Sequence, residues 1–250
     1  MTDLDRLRLV TLAERPDLER ALNDHNMADW PPFMLQDPVA DRLWHYLHED
    51  FAAVQFMLLD EAGMIAAAAN SAPLCWDGTD EGLPEGWDDQ FERTAADLVA
   101  RRTPDTLGAL QIVVARDHRG EGLSWRMLDT LRETARRRRY RALIACVRPT
   151  LKDRYPLMPI DEYARWRRAD GLPFDPWLRV HARAGARGMR PSPRSMVIAG
   201  TMAEWHQWTG LEFPVSGPYV VPGGTNPVEV DLAEDRGVYH DANVWMIHDL

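Results

Sequence analysis

The chain has 250 residues, 45% of them hydrophobic, with 39 acidic against 29 basic side chains for a formal charge of −10. These values fit a soluble globular protein with a substantial core and exclude a general nucleic-acid binder, which needs a basic face. No apolar run nears the ~20 residues that span a bilayer, and the opening MTDLDRLRLV lacks the basic start and apolar stretch of a signal peptide. Cys75 and Cys146 both fall in apolar, strand-like segments and read as buried reduced thiols rather than a disulfide, which suits the cytoplasm.

In chain order, Arg8 to Ala13 reads as a first strand and Asp17 to Ala28 as a helix with Leu18, Leu22 and Met27 inward. Asp37-Pro38 is a helix start, Asp as cap and Pro at the first helical position, for a helix carrying Val39, Leu43, Trp44 and Leu47. Gln55 to Asp60 and Met64 to Trp76 read as two strands joined at Glu61-Ala62-Gly63. Seven acids and no base follow between Asp77 and Glu92. They lead into a helix ending near Arg102, before Pro104. The run suits either a solvated surface or an acidic mouth that attracts cations.

Leu110 to Ala115 is an apolar strand that runs into the glycine turn Arg119-Gly120-Glu121-Gly122. An amphipathic helix starts directly after it, with Leu123, Met127, Leu128, Leu131 and Ala135 on one face. Such a junction makes an anion site, because loop and first-turn N–H groups point outward and the helix dipole favours negative charge. Neither the Gly-Lys-Ser/Thr of a P-loop nor the three-glycine dinucleotide fingerprint is present. Ala142 to Val147 is a buried strand, and irregular, Pro-rich sequence follows to Pro173. Asp175-Pro176 opens a helix, Trp177 to Arg187, capped by Gly188. Ser195 to Gly200 is a strand, Thr201 to Glu204 has capping-box spacing before a helix stopped by Gly210, and Asn243 to His248 is a last strand.

Arg119-x-x-Gly122-x-Ser124, between that strand and that helix, resembles the pyrophosphate loop of the GNAT superfamily of acyl-CoA N-acyltransferases, Gln/Arg-x-x-Gly-x-Gly/Ala, with Ser124 a mild departure. The sequence-level match covers about residues 107 to 148 and the helix near 177 to 188. The order of elements agrees from end to end. The resemblance implies an α/β GNAT fold: a central mixed, mostly antiparallel sheet of about six to seven strands with flanking helices, splayed between the fourth and fifth strands. It implies a single domain over 1–250 with insertions at about 77–106, 149–174 and 211–242, additions that in this superfamily tend to shape the acceptor pocket.

The resemblance further implies that backbone groups of Ile112, Val113 and Val114 pair with the pantetheine arm, while Arg119, Gly120, Glu121, Gly122, Leu123 and Ser124 wrap the pyrophosphate. Many family members carry a Tyr proton donor on the helix after the fifth strand, a few residues before a Gly-Phe pair. Aligning Gly188-Met189 with that pair puts Ala184 at the Tyr position, and aligning Gly185-Ala186 puts His181 there. His181, Tyr155 and Tyr163 are the catalytic candidates. The fourth strand has Gln111 as its polar residue and no carboxylate base. Cys146 has no neighbouring His, so direct attack by the amine is favoured over an acyl-enzyme. Trp30, Phe33, Trp76 and Trp87 lie near the acceptor loops or in the core. Arg136 to Arg139 and Arg141 complement the helix dipole, and His45 and His48 lack the company of a metal site.

The expectation is therefore a cytoplasmic N-acyltransferase that uses acetyl-CoA or another acyl-CoA on a small amine. It needs neither a metal ion nor NAD and binds no nucleic acid or membrane, and a homodimer is possible. The alternatives left open are a non-catalytic GNAT-like module binding acyl-CoA or a protein, and transfer to a hydroxyl or decarboxylation of an acyl-CoA.

Overall fold

A computed structural model describes residues 6–250; the first five residues of the stretch read for a signal peptide lie outside it. Its strands and helices run β1 (Arg8–Thr11), α1 (Glu19–Met27), α2 (Pro38–Leu43), α3 (His45–Glu49), β2 (Phe56–Leu59), β3 (Ile65–Leu74), α4 (Trp87–Val99), β4 (Thr106–Val114), α5 (Leu123–Arg137), β5 (Ala142–Val147), α6 (Ile160–Arg165), α7 (Pro176–Arg183), β6 (Arg187–Gly200), α8 (Met202–Thr209), β7 (Gly217–Tyr219), β8 (Val228–Asp231) and β9 (Arg236–Asp249).

The strands form one nine-stranded sheet in the order β1-β2-β3-β4-β5-β9-β8-β7, with β6 on the other edge of β9. Every pairing is antiparallel except β4 with β5. Alternation along β2 and β3 divides the core between the two faces. Met57, Leu59 and Ala68 pack with Leu22 of α1, while Phe56, Leu58, Ala67 and Ala69 join the larger cluster that takes Leu123, Met127, Leu128 and Leu131 of α5. The buried run Ala66 to Ala69 keeps both faces of β3 low, so helices can approach the sheet closely.

The helix starts form as their sequences dictate. Asp37 Oδ1 accepts from Val39 and Ala40 N–H at 3.0 and 2.8 Å, Asp175 Oδ1 accepts from Trp177 and Leu178 N–H at 2.9 and 3.2 Å, and Thr201 with Glu204 closes a capping box. The sheet is larger than the six to seven strands expected. The turn-rich stretch before Asn243 supplies β7, β8 and the first half of β9, which pair with one another and with β6. The helix expected to end at Arg187 stops at Arg183. Gly185, at φ +82°, takes the left-handed position after the cap, and Ala186 N–H returns to His181 O at 3.0 Å. That early stop lets β6 start at Arg187 rather than at Ser195.

Candidate active site

The site begins with a register break. Asn70 pairs with Gln111 but Ser71 pairs with Ala109, which leaves Leu110 as a bulge on β4. The parallel pairing of β4 with β5 ends at the same point, at Ala109 with Ala145. Beyond it the two strands part, and a cleft of about 1150 Å³ opens between them. Ala115 N–H donates to Ala66 O at 2.9 Å on the β3 side. Strand alternation therefore turns the N–H and C=O groups of Ile112 and Val114 toward the gap, leaving an unpaired edge onto which an extended ligand can add. Trp87 Nε1 closes the inner end by donating to Leu110 O at 2.8 Å.

The glycine loop forms the outer end. Gly120 and Gly122 take φ +83° and +81°, and a Cβ built on either would meet nothing within 4 Å, so these positions open onto free space. Gly122 caps α5, whose first-turn N–H groups at Leu123 and Ser124 lack intrahelical partners and face an anion-binding position. His118 Nδ1 lies 3.0 Å from Glu121 Oε2. Arg119 and Arg116 both bond to Asp29, which follows α1; the Arg116 contact measures 2.6 Å. Asp29 thus holds the loop's guanidinium at the cleft mouth.

The end of α1 roofs β4. Gln111 Nε2 donates to Asn26 O at 2.9 Å, and His25 Nε2 lies 3.3 Å from Val113 O. The side chain expected as the strand's one polar group is therefore spent on holding the roof. On the opposite wall stands α7. His181 is buried and lines the cleft, with Trp177 edge-on to it at 4.6 Å. Its Nδ1 lies 3.0 Å from His248 Nε2, and its Nε2 has no partner. Burial, and then the neighbouring ring, hold His181 well below the usual imidazole range, and burial takes His248 down to about 4. Both rings are neutral near pH 7. One proton is shared between Nδ1 and Nε2, so His181 Nε2 is a donor or an acceptor according to which ring gives it.

Between the walls a buried polar chain starts at Cys146. Its Sγ lies 3.2 Å from Ser195 Oγ, which accepts from Trp87 N–H at 2.9 Å. Asn243 continues the chain, its oxygen accepting from Ser195 Oγ at 2.8 Å and its nitrogen donating to Asp241 Oδ2 at 2.9 Å, the amide orientation that satisfies both groups. Asp241 is fully buried and accepts from Arg148 Nε at 3.0 Å, Thr225 Oγ1 at 2.9 Å and the Tyr239 hydroxyl. Burial pushes the Cys146 thiol up to about 12, so it is no thiolate nucleophile.

The other residues named from sequence lie elsewhere. The Tyr163 hydroxyl donates to Asp175 Oδ2 at 2.9 Å, and Tyr155 packs 4.9 Å from the Trp166 ring, both in an aromatic cluster outside the cleft lining. The acidic run sends only Trp87 to the cleft wall; Asp80 and Glu92 pair with Arg187 and Arg42 on the exterior. Trp30 lines the cleft beneath Arg148, whereas Phe33 and Trp76 are core. Asp29, Ser195 and Asn243 escaped sequence reading because each owes its role to a partner far along the chain, and Asn26 because its place in the cleft wall carries no local pattern. Among the described residues no group of three His, Cys, Asp or Glu side chains is placed to hold a metal, and no helix is long and apolar enough to cross a membrane.

No family model matches the chain. It is 32% identical over 271 residues to arginine N-acetyltransferase avaD of Aspergillus versicolor, a match spanning 96% of this chain and 93% of that protein. Its fold is similar to the loading GNATL domain of CurA from Lyngbya majuscula, with TM-score 0.61, 17% identity and 97% and 96% of the two chains covered. It is also similar to the GphF GNAT-like decarboxylase in complex with isobutyryl-CoA, with TM-score 0.56, 20% identity and 98% of each chain covered.

Proposed function

We propose, from the premise that this chain belongs to the GNAT superfamily of acyl-CoA N-acyltransferases, that it acetylates arginine or a close relative of arginine. As a member it passes an acyl group other than aminoacyl from an acyl-CoA co-substrate to an amine. The observation that carries the chemistry is the parting of β4 from β5 at the Leu110 bulge, with the glycine loop at its outer end. Arginine as the acceptor rests on the likeness to avaD over nearly the whole of both chains.

In this reading the backbone groups of Ile112 and Val114, with Val113 between them, extend the sheet onto the pantetheine arm. Arg119 to Ser124 surround the pyrophosphate, through first-turn N–H groups, the Ser124 hydroxyl and the guanidinium that Asp29 holds in place. The co-substrate supplies a thioester already activated toward amines. The gap fixes the acyl carbon beside the inner wall, where attack is intramolecular in effect. In the net reaction a C–N bond replaces the C–S bond, and the proton lost by the amine ends on sulfur. The end of α7 before Gly185 supports the alignment of Gly185-Ala186 that puts His181, rather than Ala184, at the family's Tyr position. A neutral His181 Nε2–H, with His248 donating to Nδ1, stabilises charge growing on the leaving sulfur by hydrogen bonding rather than as an acid.

The test follows thiol release from acetyl-CoA with L-arginine, product mass, and melting temperature against acetyl-CoA concentration. Saturation at 100 times Kd adds about 2.7 kcal/mol of stability. Gly122→Asp places a carboxylate and a strained left-handed residue where the phosphates would lie, and is expected to abolish both the shift and turnover while remaining folded. Thermal silence toward acetyl-CoA and longer acyl-CoAs in the wild type would sink the cleft assignment. Turnover of other amines with none of arginine would sink the acceptor.

A further inference from the structure

Two helical ridges meet at the cleft, away from the glycine loop. On α1, Asn23 and Asn26 stand one turn apart on a shared face; on α2 and its cap, Asp41 and Trp44 do the same. Trp44 Nε1 donates to Asn23 Oδ1 at 3.2 Å and ties the ridges together. All four residues line the cleft. Asn26 is 3% exposed, and neither the nitrogen nor the oxygen of its carboxamide has a partner. Leaving such groups bare inside a protein is costly, and at a cleft wall it points to a ligand that satisfies them. Among the described residues two carboxylates, Asp29 and Asp41, line the cleft. Asp29 is taken by Arg116 and Arg119. Asp41 is exposed and no cation among the described residues pairs with it.

We infer that these ridges form the acceptor's head-group subsite and that it takes a guanidinium; the inference rests on the arginine reading above. A guanidinium is planar, permanently charged and carries five N–H donors. One edge suits Asp41, a further N–H suits Asn26 Oδ1, and its face suits the Trp44 indole. Asn26 Nδ2 remains to donate to the acceptor's carboxylate or carbonyl. A protonated guanidinium is no nucleophile, so holding it here leaves the α-amine as the group that reaches the β4–β5 gap. An ammonium head would offer Asp41 a point charge without the plane that Trp44 and Asn26 require.

Calorimetric titration of the CoA-loaded protein with L-arginine and L-citrulline, its neutral ureido counterpart of equal length, tests the subsite. Wild type is expected to bind arginine at least about tenfold more tightly than citrulline. Asp41→Asn is expected to erase that preference, and Asn26→Ala to weaken both ligands while melting no lower than wild type, since it removes an unpartnered group. Turnover is measured alongside. Arginine that binds in this pattern but is not acetylated upholds the subsite and overturns the acceptor assignment. Arginine acetylated with an equal KM in wild type and Asp41→Asn overturns the subsite alone. No binding of arginine to the wild type overturns both.

Discussion

Cys146 is placed where a nucleophile would stand and is chemically unfit to be one. With burial pushing its thiol up to about 12, the thiolate fraction near pH 7.5 is on the order of 1 in 10⁴ or less. Ser195, its neighbour, keeps a donor in Trp87 N–H and an acceptor in the Asn243 oxygen when the sulfur is absent. Cys146→Ala is accordingly expected to keep kcat within about twofold at a stability cost of about 1 kcal/mol; mass spectrometry of the wild type quenched during turnover would show no acylated Cys146. A hundredfold loss with acyl adduct on the sulfur would reverse this. The same residue marks what sequence reveals at this scale. Cys146 is the buried free thiol that its strand implies, whereas Cys75, expected to be buried too, falls just past the end of β3 and is only half-buried. Asp29 carries no local pattern, because its meaning comes from Arg119, 90 positions away.

Asp175 shows how one element positions another. Its Oδ1 caps α7, while its Oδ2 accepts from Leu151 N–H at 2.9 Å and from the Tyr163 hydroxyl, so one buried carboxylate fastens the Pro-rich segment to the helix that carries His181. Asp175→Ala removes a cap worth about 1 kcal/mol and strands a hydroxyl and an N–H at about 1–3 kcal/mol each. A loss of roughly 3 kcal/mol or more is expected, a fall in Tm of about 6–12 °C. Asp175→Asn, which keeps the cap oxygen, should lie between the two. Equal melting of all three proteins would show that the segment is held by packing alone. The Asp-Pro start of α7 is legible because a cap is a local contract between neighbouring residues. Its end is not: Gly185 and Gly188 both take positive φ, and only the pairing of β6 with β9 from Arg187 onward decides which one stops the helix.

Across the whole molecule, the parting of β4 from β5 is what the resemblance carried by Arg119-x-x-Gly122-x-Ser124 implies, whereas β7 and β8 are strands of three and four residues whose pairing arises from β9. The contact that ties the distant parts together is ionisable. Asp37, the cap of α2, and Asp88, at the start of α4, are neighbouring carboxyls that each leave one buried oxygen without a donor, and Asp88 Oδ2 accepts from Val197 N–H of β6 at 3.0 Å. Two carboxyls sharing such a site hold one proton between them. Burial, then the Asp37 charge, pushes Asp88 up to about 8 against the pull of the Val197 N–H, with Glu92 adding to the rise. The unfolded chain gives up this proton near the ordinary carboxylate value of about 4. The folded state keeps it to about 8, so the stability it contributes is complete below pH 4 and is lost as pH rises through 8. Wild-type Tm is therefore expected to fall between pH 6 and pH 9, and Asp88→Asn, whose amide can donate to Asp37 as the acid does, should flatten that fall and melt higher than wild type at pH 9. Parallel Tm profiles for the two proteins across that range would show that the pair does not share a proton. Because α2 also carries Asp41, the same titration is expected to raise the KM for the acceptor above pH 8 in the wild type and not in the variant, joining the stability of the α2–α4–β6 junction to the shape of the acceptor wall.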